Sequence, residues 1–315
     1  DVNFGRLLVS FTAAGQRLRF GFGERLIALT NESDESMIAI ELNHERVLGT
    51  DPLVDENHKS SIGFTSIKGT FTIEQAAESK RLNALEQLSL DLDASSISDP
   101  VLLEQAPDWV DAEIDNGSLE AEAAVALLEL VRADSGNSLT LALRLALEFR
   151  RSEVAALAGQ SLLTLDDASA YFGVDGLLSK PKQRLYWDSH LDALRSMMNR
   201  GIKDAAAVRI AIAGEGETTM DNADGDTLFR LLTGYSQEQL ETGGDAELVA
   251  DLESVSMPVR VLAIEHLRDI VGTTAAFRPE EEVVARRETA IKTWKVRLRK
   301  ASIRYPTEEK AEATP

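Results

Sequence analysis

The apolar residues of this 315-residue chain change their period part-way along. Up to about residue 93 they come in short alternating or continuous runs, broken by glycines and Asn/Asp clusters. From Ser118 onward they recur at i, i+3, i+4 and i+7 behind serine and aspartate caps. A period of two lines alternate faces of a strand, a period of 3.6 lines one stripe of a helix, and one element type cannot satisfy both. The switch therefore predicts a two-domain α+β chain. An antiparallel β sandwich or barrel-like domain is expected over 1–95 and an all-α domain of helical repeats over 118–305. A connector over 96–117 and a disordered tail over 306–315 complete the division.

In the first part, strands are expected at 4–11, 17–22, 25–30, 37–42 and 64–73. Gly15, Gly23 and the polar run 31–36 supply the turns between them. The segment 85–92 fits both periods: Leu88, Leu90 and Leu92 alternate, whereas Leu82, Leu85 and Leu88 have helical spacing. A closing strand is the preferred reading.

Between Arg81 and Arg132 there is no lysine or arginine, but twelve acidic residues occur, with Pro100 and Pro107 among them. A solvated acidic connector is the expectation, anchored by Trp109; an acidic surface for a basic partner is the functional reading of the same residues. The whole chain carries 33 basic and 53 acidic residues, a net charge of −20. Such a field repels nucleic acid and anionic membranes, so neither is expected as a partner.

Helices are expected at 119–131, 139–149, 153–163, 188–198, 205–213, 227–233, 246–253 and 257–270, with a last one from Glu280 to the region of Lys300. Ser256 before Met257 and Pro258 has the composition of an N-cap and first turn. One motif occurs twice: Val154, Leu157, Ala158 and Leu162 match Val259, Leu262, Ala263 and Leu267 in spacing and type. Small residues at Ala158 and Ala263 let a neighbouring helix approach closely. The motif thus resembles the inner helix of a HEAT-like pair, in a region of stacked pairs over roughly 118–272. In the last helix Ile291, Trp294 and Leu298 form a stripe expected to dock on the preceding pair. Acidic residues at its start and Arg286 to Lys300 at its end follow the helix dipole.

No residue set carries a catalytic, cofactor or metal signature. There is no cysteine, and His44, His58, His190 and His266 lack metal-ligand spacing. Read as a calcium loop, Asp221 to Asp226 places Ala223 and Gly225 where ligands are required, so helix capping is expected instead. No catalytic residue, no cofactor and no metal is assigned.

The segments 4–8 (FGRLL), 19–25 (RFGFGER), 38–42 (IAIEL) and 67–70 (IKGT) resemble a β domain of bacterial envelope proteins, some of which carry a sensor domain of the FecR anti-sigma type. The segments 107–109 (PDW), 187–188 (WD), 231–236 (LLTGYS), 259–263 (VRVLA), 277–280 (FRPE) and 291–294 (IKTW) are similar to the helical tail of such proteins. The resemblance implies a periplasmic or envelope location and a soluble part of a membrane-anchored protein, with any anchor outside this chain. It brings no catalytic residues. The chain starts at Asp1 without a methionine, which reads as a processed or excised piece. The expected function is non-enzymatic: a protein-interaction or scaffold module with a protein partner. The alternative is a FecR-like module that senses a ligand or glycan. An enzyme is the least expected reading; a pocket gathering acids and histidines around Trp109, Trp187 and His190 would favour it or the sensor.

Overall fold

The computed structural model describes residues 5–22, 25–94, 96–110, 117–133, 136–214 and 222–306. The chain divides into two compact units, Asp1–Arg46 with His58–Ile114, and Val47–Asn57 with Asp115–Pro315. The first is antiparallel β and the second is helical.

The β unit contains β1 (Gly5–Phe11), β2 (Arg17–Phe22), β3 (Arg25–Asn31), β4 (Ser36–Arg46), β5 (His58–Lys68), β6 (Phe71–Gln75), β7 (Glu78–Leu82), β8 (Glu86–Asp91), β9 (Ser96–Ile97) and β10 (Val101–Leu102). They form two sheets, β1-β4-β5-β8-β10 with β9 also on β8, and β2-β3-β6-β7. Neither sheet closes on itself. The register explains the core: Ile40, Phe64 and Leu88 stand in one cross-strand row, and Ile62, Leu90 and Ile97 in a neighbouring one. These side chains share one buried cluster with Ile27, Leu29, Phe71, Ile73 and Leu82 of the other sheet. Burying one Ile or Phe stabilises by about 1.5–3 kcal/mol, so alternation alone secures these strands.

One buried polar residue fastens the turns. Asn31 Nδ2 donates to the carbonyls of Ala13 (2.9 Å) and Ser33 (2.6 Å). Its Oδ1 accepts from Ser33 N–H (3.2 Å) and the Ser36 hydroxyl (2.6 Å), so the amide is satisfied inside the fold.

Three features of the β unit differ from the sequence expectation. The run 64–73 divides at Gly69, whose φ of +93° makes a turn between β5 and β6. The polar segment Glu78–Leu82 is a strand because it completes the edge beside β6, with only Leu82 buried. Ser96–Ile97 and Val101–Leu102 pair with β8, so the β unit extends into the stretch read as a connector. Two-residue strands are too short to show a period.

The helical unit contains α1 (Leu119–Ala133), α2 (Leu139–Ala146), α3 (Ser152–Thr164), α4 (Trp187–Asn199), α5 (Ile202–Ala213), α6 (Asn222–Thr233), α7 (Gln237–Gln239), α8 (Asp245–Asp251), α9 (Met257–Val271) and α10 (Val284–Arg299). Short 3-10 turns fill the interval between α3 and α4. The hydroxyls of Ser118 and Ser138 accept from the N–H groups of Ala121 and Leu141, capping α1 and α2. Ser256 holds the N-cap position of α9 without a side-chain cap, and Gly272 ends that helix in the left-handed region. The last helix starts at Val284, later than expected, and Glu281 accepts from Val283 N–H (3.1 Å) just before it.

Helix α9 packs against α4, α6 and α8. Ten consecutive residues, Pro258 through Leu267, are buried, charged ones included. Ile291 and Trp294 of α10 are buried as their stripe predicts, and Trp294 Nε1 donates to the Thr274 carbonyl (3.3 Å). Among the described residues no helix is long and apolar enough to cross a membrane. The expectation of a disordered tail falls on residues from 307 onward, outside the described ones, and so does Asp221 of the acidic loop.

Candidate functional site

The most distinctive surface of the helical unit lies across α1, α2 and α3. Ala124, Leu127, Leu128 and Val131 of α1 sit at i, i+3, i+4 and i+7 and form one wall of a groove of about 360 Å³. Leu139 and Leu143 of α2 and Leu157, Ser161, Thr164 and Leu165 complete it. Its two hydroxyls are used by their own helix: Ser161 Oγ donates to the Leu157 carbonyl (2.8 Å) and Thr164 Oγ1 to that of Ser161 (2.7 Å). The groove therefore presents mostly carbon, and both hydroxyl protons in it are already donated. Leu128 is 47% exposed, Leu139 48% and Leu165 42%, a contiguous apolar strip rather than scattered surface leucines. At the N-terminal end, helical spacing places Glu120 on the same stripe as Ala124 and Leu127.

A second concavity, of about 520 Å³, lies where Gly49, Asp51 and Pro52 meet α5, α6 and α8. Gly49 fixes this corner. Its N–H donates to the Thr233 carbonyl (3.2 Å), and its carbonyl accepts from Gln239 Nε2 (2.9 Å). The same Gln239 accepts at Oε1 from Ser236 N–H (2.8 Å), while the Ser236 hydroxyl accepts from Gln239 N–H (3.2 Å), a reciprocal capping box. Arg230 donates to Glu247 (2.9 Å) and Asp251 (2.8 Å), and Tyr235 O–H donates to Glu247 (2.9 Å).

Two of the histidines, His190 and His266, are buried and hydrogen-bonded within the helical unit. In His266, Arg195 Nη2 donates to Nδ1 (2.9 Å), so the ring proton sits on Nε2, 3.3 Å from Tyr305 Oη. The Tyr305 hydroxyl in turn donates to the Tyr235 carbonyl (3.2 Å). Burial, reinforced by the Arg195 charge, lowers the His266 pKa to about 3. His190 lies inside α4 with Nε2 3.2 Å from Gln183 Oε1, and burial lowers its pKa to about 4. Gln183 Nε2 donates to the Ser152 carbonyl (3.1 Å), which turns Oε1 toward the imidazole N–H. His44 Nδ1 is 2.8 Å from the Ser60 hydroxyl on the neighbouring strand, and His58 opens β5.

Trp187 is buried beside His190 in the helical core, whereas Trp109 is half-buried in the β unit under the Arg6 guanidinium, 5.5 Å from the ring centroid. No metal-binding cluster of histidine and acidic side chains occurs among the described residues. The most perturbed carboxyl is Glu265: burial first, then Asp188 and Asp269, raise its pKa to about 7 despite the Arg268 ion pair at 2.8 Å.

Neither a family model, nor a curated protein, nor a solved structure matches this chain. The groove was not read from the sequence, although a signal existed. Helix α1 carries Leu119, Val125, Leu127, Leu128, Leu130 and Val131, more apolar positions than a single buried stripe needs.

Proposed function

We propose that this chain is a non-enzymatic protein-interaction module and that the α1–α3 groove receives the apolar face of a basic amphipathic helix from a partner protein. The observation that carries this reading is the open, mostly apolar groove whose two side-chain hydroxyls already donate to their own helix. Such a surface offers nothing to a polar substrate and gains from covering leucine side chains, as in helix-in-groove recognition. Charge selects the kind of helix: the chain carries −20, α1 holds Glu120, Glu122 and Glu129 against the single cation Arg132, and Glu120 extends the groove stripe.

The resemblance to FecR-type sensor proteins supports an extracytoplasmic envelope location for the module. Two sheets feeding one core support a sandwich reading of the β unit. A HEAT-like reading suits α1–α3, where α3 lies against both preceding helices. Helix α9, enclosed on its several faces, has the place of a bundle's central helix rather than that of an open stack, which shortens the region to which the repeat reading applies.

The test uses the full chain with a photo-crosslinking residue in place of the exposed groove residue Leu139 and two synthetic amphipathic helices, one of Leu and Lys and one of Leu and Glu. The Leu/Lys helix should crosslink at this position, and Leu128→Arg should remove the crosslink. Equal labelling by both peptides, or labelling that survives Leu128→Arg, would refute the groove reading.

A further inference from the structure

Strand β1 is a sheet edge without the usual defences. Among the described residues its one strand neighbour is β4, so the N–H and C=O groups that point away from β4 stay unpaired along a seven-residue strand. Edge strands of soluble proteins are blunted by shortness, charge, proline or a bulge. The other edges follow that rule: β10 has two residues, β7 carries Glu78, Lys80 and Arg81, and β2 carries Arg17 and Arg19. Strand β1 reads GRLLVSF and pairs with β4 in unbroken register. Its one charge, Arg6, donates to Glu41 and lies over the Trp109 ring. Val9 packs against the core and Phe11 is buried, which puts Leu7 on their face and Arg6, Leu8 and Ser10 on the other. Leu7 is 42% exposed and Leu8 41%, so apolar side chains flank the free edge on both faces.

The residue order of β1 also matches itself. Turned antiparallel about Leu8, the strand sets Leu7 opposite Val9, Leu8 opposite Leu8 and Arg6 opposite Ser10. The core-side pairs are then apolar, and no like charges stand opposite one another. The two Arg6 backbones lie four positions apart, about 14 Å, beyond the Debye length of about 8 Å at physiological salt. No acidic residue on β1 adds to the repulsion between chains of charge −20.

We propose that β1 is a self-association surface: two copies of this chain pair their β1 strands antiparallel about Leu8, which joins the sheet β1-β4-β5-β8-β10 of each into one continuous sheet. The contact is isologous, so the same seven residues serve both copies. It is a second surface, independent of the α1–α3 groove.

The experiment begins with sedimentation velocity of the full chain. Monomer should give way to dimer between about 5 µM and about 500 µM, because a single strand pair is smaller than a standard interface. Leu8→Lys sets two ammonium groups opposite each other and should leave a monomer throughout that range. Its far-UV circular dichroism should match the parent, because Leu8 is exposed. The register is read by disulfide formation: the chain has no cysteine, so Leu8→Cys and Ser10→Cys each introduce a single thiol. Paired residues at position 8 lie within disulfide reach, whereas those at position 10 would be about 14 Å apart. Under a mild oxidant Leu8→Cys should therefore crosslink at least about tenfold faster than Ser10→Cys. A chain that stays monomeric over the range, association that survives Leu8→Lys, or equal crosslinking at the two positions would overturn the proposal.

Discussion

Replacing Gly49 by alanine tests how firmly the segment Val47–Asn57 is fastened within the helical unit. Gly49 has φ +85°, where an L side chain costs about 1–2 kcal/mol. A methyl group there would also overlap Gln239 Oε1 and stand 2.6 Å from the backbone nitrogen of Ser236, which cannot rotate away. Relief requires the segment to lift, which breaks the Gly49–Thr233 and Gln239–Gly49 hydrogen bonds at about 1 kcal/mol each. The sum is about 3–4 kcal/mol. Gly173 is a matched control: it has the same φ of +85°, but its added methyl would meet nothing within 4 Å. Gly173→Ala should therefore show the backbone cost alone, about 1–2 kcal/mol. Stiffening of the unfolded chain is common to both, so the difference, about 2 kcal/mol, isolates the docking. The assay is urea unfolding followed by tryptophan fluorescence in a Trp109→Phe background, where Trp187 and Trp294 both report on the helical core. With an m-value of about 2 kcal/mol/M, the Gly49→Ala midpoint should lie about 1 M below that of Gly173→Ala. Coincident midpoints would refute the docking argument and leave only the left-handed conformation.

Two predictions concern protonation. Glu265 is raised from 4.5 to about 7, so between those values the folded chain holds a proton that the unfolded chain has released, and stability falls as pH rises through that window. Glu265→Gln should remove this slope and stabilise the chain at pH 8 by roughly 3 kcal/mol relative to the parent, measured as the change between urea midpoints at pH 5 and pH 8; an unchanged slope would refute the assignment. His190 and His266 are lowered to about 4 and about 3, so the unfolded chain takes up protons first and these sites lose stability as pH falls below 6.5. Long-range ¹H–¹⁵N NMR at pH 5.5 should show both imidazoles neutral with the proton on Nε2, and a cationic ring at either position would contradict the burial argument.

Periodicity in the sequence identifies the element types because alternation and the 3.6-residue repeat follow from backbone geometry, and Ile38, Ile40, Phe64 and Leu88 face the core as their spacing requires. It is blind where a neighbour decides. Gly69 is a turn because its backbone passes Ser36: a Cβ there would lie 2.5 Å from the Ser36 Cβ, while the flanking residues keep an unbroken strand-like pattern. The strongest case is the contrast between α9 and α1. Arg260 of α9 has the character of a solvent-facing residue, yet it is buried because Pro279, Ser254 and Val255 turn their carbonyls toward it, accepting at 2.9, 2.8 and 2.8 Å. Leu128 of α1 has the character of a core residue and is nearly half exposed, because α2 and α3 cover α1 from one side only. Residue type and spacing are similar inputs in the two helices; the number of elements around each helix differs, and that number is a property of the assembled unit. Function follows the same division. Groups whose role depends on their own chemistry, such as a metal-ligand spacing, can be sought along the chain, whereas an apolar groove exists only where packing stops short.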